Sequence, residues 1–246
     1  MPKTPPSLAA LLAACLPTVA CTAEPAPEDS EVWEPEPAVV DPRARDGAPD
    51  DAIVLFAGDL SAWQHEDGSA ADWNVGDGWF EVVPGTGDIH TRRPFGDVQL
   101  HVEWQAPTVI EGDGQGRGNS GVFLQQRYEV QVLDSWNNRT YSNGQAASVY
   151  KQHIPLVNAT TAPGTWQAYD IIFRAPDFAD NGSLITPATL TVLHNGVLVQ
   201  DHVEVRGTTV YIGEPSYSAH GDDALRLQDH GNPVRFRNVW VRELGD

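Results

Sequence analysis

Polar and aromatic side chains alternate with aliphatic ones along residues 118–135, which read G-N-S-G-V-F-L-Q-Q-R-Y-E-V-Q-V-L-D-S. This alternation predicts two strands joined by a tight turn, with successive side chains on opposite faces of a sheet. One face then carries Asn119, Phe123, Glu129 and Gln131. A carboxylate, two amides and an aromatic ring on one face suit the binding of a sugar. The same residues would equally suit an ordinary solvated face.

The length of the turn decides which residues share that face. With a three-residue loop at 125–127, Phe123 lies opposite Glu129, and Leu124 joins the aliphatic side chains on the other face. A two-residue loop would place Leu124 beside Glu129 and mix apolar with charged side chains, a slip that is heavily penalised when one face is buried. We therefore expect the three-residue loop, although it contains no glycine. We also expect the small Gly121 to leave room for a ligand.

Lysine is used very sparingly in this chain. Lys151 is the only lysine after Lys3, and every other basic side chain apart from histidine is an arginine. A lone ammonium group can serve as a compact donor or as a group whose pKa is tuned by its surroundings. Lys151 is therefore a candidate for chemistry, with chance retention as the alternative.

The rest of the chain predicts further strands and no helix. Residues 98–105 read V-Q-L-H-V-E-W-Q, in which every second side chain is apolar. Asn195 and Gly196 stand between two apolar runs, which is a strong signal for a two-residue hairpin turn. No stretch shows sustained helical periodicity, and Gly and Pro recur about every ten residues. The sequence therefore predicts an all-β sandwich.

Residues 1–21 are typical of a bacterial export signal, with a cationic start at Lys3, a short apolar stretch and small residues before a cysteine. The apolar stretch is too short to span a membrane. The residues before Cys15 fit a lipoprotein cleavage box, whereas Cys21 allows a longer apolar stretch with a weaker box. Secretion without lipidation is the third alternative. We expect an exported protein, lipid-anchored, periplasmic or at the surface of the cell envelope, or else secreted.

Residues 22–51 are rich in Pro, Glu, Asp and Ala and predict a disordered acidic tether, because they cannot bury enough apolar surface to offset the entropy of ordering. The folded domain then spans residues 52–246. Both cysteines precede it, so it relies on its core rather than on a disulfide. The net charge of −19 argues against a nucleic acid or an anionic membrane surface as partner and favours a neutral ligand. We expect a monomer.

Five motifs carry a resemblance to a known family: N-S-G-V-F-L, Y-E-V-Q-V-L-D-S, W-Q-A-Y-D-I-I-F-R, L-H-N-G-V-L-V-Q-D-H and L-Q-D-H-G-N-P-V-R-F-R-N-V-W-V-R. Over residues 53–244 the chain resembles the 3-keto-disaccharide hydrolase domain. The resemblance implies a single concanavalin A-like jelly roll of two curved antiparallel sheets, with the ligand on the concave face. It also implies cleavage of glycosides oxidised at C3. Departures at residues 116–118 and 146–148 concern loop shape, and hence substrate choice.

A ketone at C3 of a sugar acidifies the C2 proton, so that one base can remove it and the C1 oxygen can leave by β-elimination, after which water adds to the enone. This route needs a base, a proton donor and a positive group beside the enolate. We expect Glu129 or His230 as the base and Lys151 as enolate stabiliser or proton donor. A divalent metal held by His230 and by Glu129 or Asp229 would serve the enolate as well. The sequence contains no tight spacing of metal ligands, so the metal is left open.

Substrate-binding residues are expected around these groups. With the resemblance taken into account, they are Asn119, Phe123, Gln131, Tyr150, Asp229 and Arg235. Three aromatic residues could stack on a sugar ring, and we expect only one of them to do so, because aromatic residues in β proteins more often lie in the core: Trp63, Trp136 and Tyr150.

Two other functions are compatible with the same predicted fold. Retaining glucanases with the same fold need two carboxylates about 5 Å apart on one face. Glu129 and Asp134 are five residues apart and would project to opposite faces, while Gln131 stands where a second acid would be needed. A non-catalytic carbohydrate-binding domain is the other alternative, because the same fold also serves lectins.

Overall fold

The computed structural model describes residues 1–3, 25–45 and 47–245 of the 246-residue chain. Most of the predicted export signal, including Cys15 and Cys21, lies outside the described residues. Among the residues that are described, no helix is long and apolar enough to cross a membrane.

The chain forms two compact units, residues 1–39 and residues 40–246. In the first unit, residues 25–39 are exposed and include a 3-10 turn at Pro27–Ser30. The second unit begins before the predicted boundary at Ala52, because Ala48 and Ala52 are buried against Trp240. Residues 40–45 and 47–51 thus belong to the folded unit, and the disorder of residues 22–39 stays a prediction.

Fifteen strands make up the second unit of the described chain. In chain order they are β1 (Ile53–Val54), β2 (Trp63–Gln64), β3 (Asn74–Gly76), β4 (Trp79–Glu81), β5 (Ile89–Phe95), β6 (Val98–Gln105), β7 (Ser120–Leu124), β8 (Tyr128–Val132), β9 (Gln167–Arg174), β10 (Asp177–Phe178), β11 (Leu184–Thr186), β12 (Thr189–His194), β13 (Val197–Glu204), β14 (Asp223–Leu227) and β15 (Arg235–Glu243). Short 3-10 turns at Gly114–Gly116 and Ser142–Gly144 interrupt the loops.

These strands form two main antiparallel sheets and confirm the predicted all-β jelly-roll sandwich. The larger sheet has eight strands in the order β13-β12-β9-β6-β15-β4-β3, with β1 also paired to β15. The smaller sheet has five strands in the order β2-β5-β14-β7-β8, and β10 pairs separately with β11. The Asn195-Gly196 turn joins β12 to β13, with both residues at positive φ, as the sequence predicts.

The core lies between the two sheets, where alternation turns one face of each strand inward. The apolar side chains of β6 are fully buried while its polar ones are only half-buried. Those of β7 and β8 join the same core cluster from the smaller sheet. The Tyr169 hydroxyl of β9 donates a 2.8 Å hydrogen bond to the backbone carbonyl of Gln131 and so ties the sheets together. The opposite face of the smaller sheet is left to polar side chains.

The β7–β8 hairpin has the predicted three-residue loop, with Phe123 opposite Glu129 and Leu124 opposite Tyr128. Two glutamines take the left-handed conformation in this loop, Gln125 at φ 49° and Gln126 at φ 58°. A side chain other than glycine pays roughly 1–2 kcal/mol for that conformation. Distant anchors offset this strain.

The anchors of the turn come from two neighbouring strands. The Gln125 amide donates to the backbone carbonyl of Phe95, at 3.1 Å, and the Gln126 amide donates to Asp223 Oδ1, at 2.9 Å. The Arg127 guanidinium pairs with the other oxygen of Asp223, at 2.5 Å. Asp223 therefore holds the turn that sets the register of the site-bearing hairpin.

We expect Asp223→Ala to lower the free energy of unfolding by about 1–2 kcal/mol, because it removes two charge-assisted hydrogen bonds of the turn. In that background, Gln126→Gly should restore about 1 kcal/mol, because glycine adopts the left-handed conformation without strain. In the wild-type background the same glycine should have little effect, since it also loses the bond to Asp223. Denaturant unfolding measures all four proteins, and Asp222→Ala is the control. An equal effect of glycine in both backgrounds would contradict this account.

Candidate active site

A cavity of about 280 Å³ lies on the polar face of the smaller sheet, and we call it the Glu129 cavity. It is lined by Asn119, Phe123, Glu129, Gln131, Tyr150, Thr209, Tyr211, Arg226, Gln228 and His230. Six of the nine site residues expected from the sequence are in this set. Lys151, Asp229 and Arg235 are not.

Glu129 is the most deeply buried ionisable group of this cavity, with only 4% of its surface exposed. Its side chain lies across Gly121, where an added Cβ would come within 2.7 Å of Glu129 Oε1. The Glu129 carboxyl group therefore fills the space at Gly121. The sequence analysis had wrongly expected a ligand there. Burial raises the pKa of Glu129 to about 8, although the Arg226 guanidinium acts in the opposite direction.

The amide of Gln131 explains how this carboxyl group is accommodated. Gln131 Nε2 donates to Gln115 Oε1, at 3.0 Å, and lies 3.3 Å from Asn119 Oδ1. The amide oxygen then lies 2.9 Å from Glu129 Oε1. Two oxygens at this distance form a hydrogen bond only if one of them carries a proton. A protonated Glu129 that donates to Gln131 satisfies the contact, in agreement with the raised pKa.

The opposite orientation of the Gln131 amide removes the contact between two oxygens at Glu129 but creates one at Gln115. Its nitrogen would then donate to Glu129 and to the Ser120 carbonyl, but its oxygen would face Gln115 Oε1, at 3.0 Å. The Gln115 amide cannot turn to resolve this contact, because its nitrogen donates to the carbonyl of Gly144, at 2.8 Å. We therefore favour the orientation in which Glu129 is the donor. The network of amides thus stabilises the neutral form of Glu129.

Arg226 of β14 supplies a positive charge to the cavity, and it is a candidate site residue that the sequence analysis missed. It pairs with Phe123 across the β14–β7 ladder, and its guanidinium lies 3.8 Å from the centroid of that ring. Nη1 donates to Asp88 Oδ2, at 3.0 Å. Among the described residues, Arg226 Nε is buried and has no hydrogen-bond partner. A buried donor without a partner costs free energy that other contacts of the fold must offset.

A signal for Arg226 was present in the sequence. Leu225 and Leu227 alternate with Arg226 and Gln228, so a strand that buries the leucines must turn the other two side chains to the polar face. The pattern could not reveal that this strand lies beside β7.

Lys151 lies in a neighbouring cavity of about 360 Å³, which we call the Lys151 cavity. Tyr141, Arg206 and Glu214 line it as well, and Tyr150 and Tyr211 line both cavities. The Lys151 ammonium donates to the Tyr211 carbonyl, at 2.5 Å. The structure thus separates Lys151 from Glu129, and Arg226 takes the place beside the carboxyl group that we had expected for Lys151.

The D-H-G-N-P-V-R stretch contains three of the predicted site residues, and their surroundings differ: Asp229, His230 and Arg235. His230 is exposed at the edge of the Glu129 cavity. The Asp229 carboxylate accepts hydrogen bonds from the backbone nitrogens of Gly85 and Gly87, at 2.7 and 3.1 Å, so it is engaged in the fold. Arg235 belongs to β15 of the larger sheet, where it pairs with Glu81 at 2.6 Å. Neither Asp229 nor Arg235 is placed to bind a ligand of the Glu129 cavity.

Of the three aromatic residues expected as stacking candidates, only Tyr150 lines the Glu129 cavity. Trp63 is buried in the core, and its Nε1 donates to the Leu55 carbonyl, at 2.7 Å. Trp136 is partly exposed outside the cavity. Within the described part of the chain, no three His, Cys, Asp or Glu side chains are grouped to hold a metal ion.

The second carboxylate considered from the sequence, Asp134, does not line the Glu129 cavity. It is buried in an ion pair with Arg117, at 2.7 Å between Oδ2 and Nε, and it lines a different cavity. The pair of facing carboxylates that a retaining glucanase needs is therefore not formed by Glu129 and Asp134, as predicted.

Comparison with known proteins bears on this site. A model of the 3-keto-alpha-glucoside-1,2-lyase-like domain matches residues 51–242. The crystal structure of a candidate glycosyl hydrolase from Parabacteroides distasonis ATCC 8503 is 53% identical to the chain, covers 90% of it and 98% of its own length, and superposes with a TM-score of 0.87. A second candidate glycosyl hydrolase from the same organism shares the fold at 21% identity, with 79% and 94% covered and a TM-score of 0.58. No curated protein sequence matches the chain.

The family model and the 53% identical structure each cover most of the folded unit. The match to the family model includes every residue that lines the Glu129 cavity. The chain therefore belongs to the 3-keto-alpha-glucoside-1,2-lyase-like domain family, as its motifs predict.

Proposed function

We propose that this protein cleaves the glycosidic bond of 3-keto-glycosides by removing the C2 proton, eliminating the C1 oxygen and hydrating the product. One observation carries the proposal: a buried carboxyl group of raised pKa shares a cavity with a guanidinium group. The family and the similar candidate glycosyl hydrolase support a carbohydrate-active enzyme. Export through residues 1–21 would place the reaction in the cell envelope or outside the cell.

Glu129 is the proposed base. A pKa of about 8 leaves part of the Glu129 population ionised near neutral pH and makes the carboxylate a stronger base than an exposed one. The C2 proton beside a ketone is weakly acidic, so this gain in basicity serves the slow step. His230 is less suited to the role, because it is exposed at the edge of the cavity.

Arg226 is the proposed enolate stabiliser. Loss of the C2 proton places negative charge on the C3 oxygen, and a fixed positive group at that oxygen lowers the barrier. The Arg226 guanidinium lines the cavity, while Asp88 and the ring of Phe123 fix its position. Arg226 therefore assumes the task that the sequence analysis gave to Lys151.

Tyr150 is the proposed proton donor for the leaving oxygen. The assignment rests on position, because Tyr150 lines both cavities and so would lie at an oxygen that bridges them. Burial raises the pKa of Tyr150, so the hydroxyl carries its proton before the reaction. As the C1–O bond breaks, the leaving oxygen takes this proton and the electrons of the C2–H bond form the C1=C2 double bond. Water then adds to C1 and returns a proton to Tyr150, while the Glu129 acid exchanges its proton with solvent and protonates C2. The net reaction is hydrolysis.

The wild-type protein should release the aglycone from an aryl 3-keto-glucoside but not from the unoxidised parent, because only the ketone acidifies C2. In D₂O the sugar product should carry deuterium at C2, which mass spectrometry and NMR detect. A parallel reaction with a chelator tests the dependence on a metal. Release from neither compound, together with binding of the sugar, would instead support the lectin-like alternative.

Glu129→Gln should abolish turnover and stabilise the fold. Burial raises the pKa of Glu129 from 4.5 to about 8, so between these two pH values the folded state keeps a proton that the unfolded chain has lost. The free energy of unfolding therefore falls as pH rises from 4.5 to about 8. The amide removes this loss, worth about 2–4 kcal/mol at pH 8 and much less at pH 5. Thermal unfolding across this range measures the effect, with Glu243→Gln as control. Equal unfolding curves for wild type and variant at pH 8 would contradict the raised pKa.

Arg226→Gln should lower kcat about 10²–10³-fold with a small change in KM, because the charge on the C3 oxygen develops in the transition state. Arg226→Lys should recover part of the rate, since it keeps the charge but not the planar donor geometry. Removal of the positive charge should also raise the pKa of Glu129, and so move the rising limb of the pH–rate profile to higher pH. A variant with an unchanged profile would argue against contact between Arg226 and the reacting centre.

A further inference from the structure

The Lys151 cavity adjoins the Glu129 cavity, since Tyr150 and Tyr211 line both. A glycoside whose sugar ring lies at Glu129 and whose scissile oxygen lies at Tyr150 would therefore extend its leaving group into the Lys151 cavity. The volume of about 360 Å³ is sufficient to accept one further ring.

Two cations without carboxylate partners line the Lys151 cavity. None of the ion pairs among the described residues includes Lys151 or Arg206, whereas eight arginines, Arg226 among them, are paired with Asp or Glu. Glu214 is the acidic residue of the lining. The chain has a net charge of −19, whereas two cations and one carboxylate line this cavity. Such a local excess of positive charge favours the binding of a negatively charged group.

The Lys151 ammonium is held in place for such a group. Its backbone has φ 59°, in the left-handed region that side chains other than glycine rarely adopt, and its Nζ lies 4.1 Å from the centroid of the Tyr211 ring. Strained backbone of this kind persists where the surroundings impose it and is common at ligand sites. The hydrogen bond to the Tyr211 carbonyl uses one of the three ammonium donors, so two are left for a ligand.

Aromatic side chains supply the walls against which a ring can stack. The Tyr141 and Tyr150 hydroxyls lie 2.5 Å apart, which fixes both rings. Tyr211 is 71% exposed although it lies beside the cavity, so its ring offers apolar surface to a ligand. Stacking on tyrosine together with ion pairs to Lys151 and Arg206 selects a ring that carries an acidic substituent.

We propose that the Lys151 cavity binds the leaving group of the glycoside, and that this group is a ring bearing a carboxylate. The inference rests on the proposed function, because it takes the scissile bond to lie between the two cavities. The carboxylate pairs with Lys151 and Arg206, and the ring packs on Tyr211. An aromatic acid and a uronic acid share this chemistry.

The test uses 3-keto-glucosides in two matched pairs of leaving group, 4-hydroxybenzoate against 4-hydroxybenzamide and glucuronate against glucose. In the wild type we expect kcat/KM to favour the acid by about tenfold or more in at least one pair, which also identifies the kind of ring. Lys151→Met and Arg206→Gln should each reduce this preference and leave the neutral partner nearly unaffected. Arg139→Gln removes a charge that lines neither cavity, and it should leave the preference unchanged.

Failure of the inference and failure of the proposed function give different results. If all four compounds are cleaved and the acid preference is absent, or is the same in Lys151→Met and Arg206→Gln as in the wild type, the inference is overturned and the enzyme reading stands. If the wild type cleaves none of them, the proposed function falls. Calorimetry with free 4-hydroxybenzoate and glucuronate then tests whether the Lys151 cavity binds acids. Weaker binding by Lys151→Met and Arg206→Gln than by the wild type supports an acid site, and equal binding overturns it. Since Arg206 is exposed, its variant should fold normally.

Discussion

Burial of the Glu129 carboxyl group is the constraint to which the rest of the site conforms. A carboxylate removed from water is strongly destabilised unless it is paired or neutral. The structure does not pair Glu129 directly with a cation; it favours the proton, through burial and through the oxygen of Gln131. Gly121 follows from the same constraint, because any larger residue would collide with the carboxyl group.

Neutral amide side chains connect the surroundings of Glu129 to two loops by hydrogen bonds. Gln115 accepts from Gln131 and donates to Thr140 and Gly144, so it links the loop before β7 to the loop after β8. The charged groups of the chain are treated differently: Arg117, Arg235 and most other arginines are paired with carboxylates elsewhere in the fold. An ion pair at Glu129 would have stabilised the charged form and so lowered the basicity of the proposed base. Amides position the carboxyl group without lowering its pKa.

Local patterns of the sequence predicted what depends on local geometry. The alternation in residues 118–135 predicted the β7–β8 register, because a slip would turn Glu129 into the apolar core between the sheets, and this placed Asn119, Phe123, Glu129 and Gln131 together correctly. Alternation does not reveal which sheet a strand joins. For this reason Arg226 was missed, although β14 lies beside β7, and Arg235 was expected at the site, although β15 lies in the larger sheet. The rarity of Lys151 indicated the right region but the wrong cavity.

The number of carboxyl groups decides between the two ways of breaking a glycosidic bond. Direct displacement at C1 needs an acid and a nucleophile or base on either side of the bond, and the Glu129 cavity contains one carboxyl group, with Gln131 beside it. Elimination needs one strong base and a stabilised enolate, which matches a carboxyl group of raised pKa and the guanidinium of Arg226. In the proposed reaction, the ketone of the substrate does what a second carboxyl group does in a retaining enzyme, because it makes C1–O cleavage possible without a nucleophile. The proposal therefore requires that a separate oxidoreductase step oxidise the sugar at C3 beforehand.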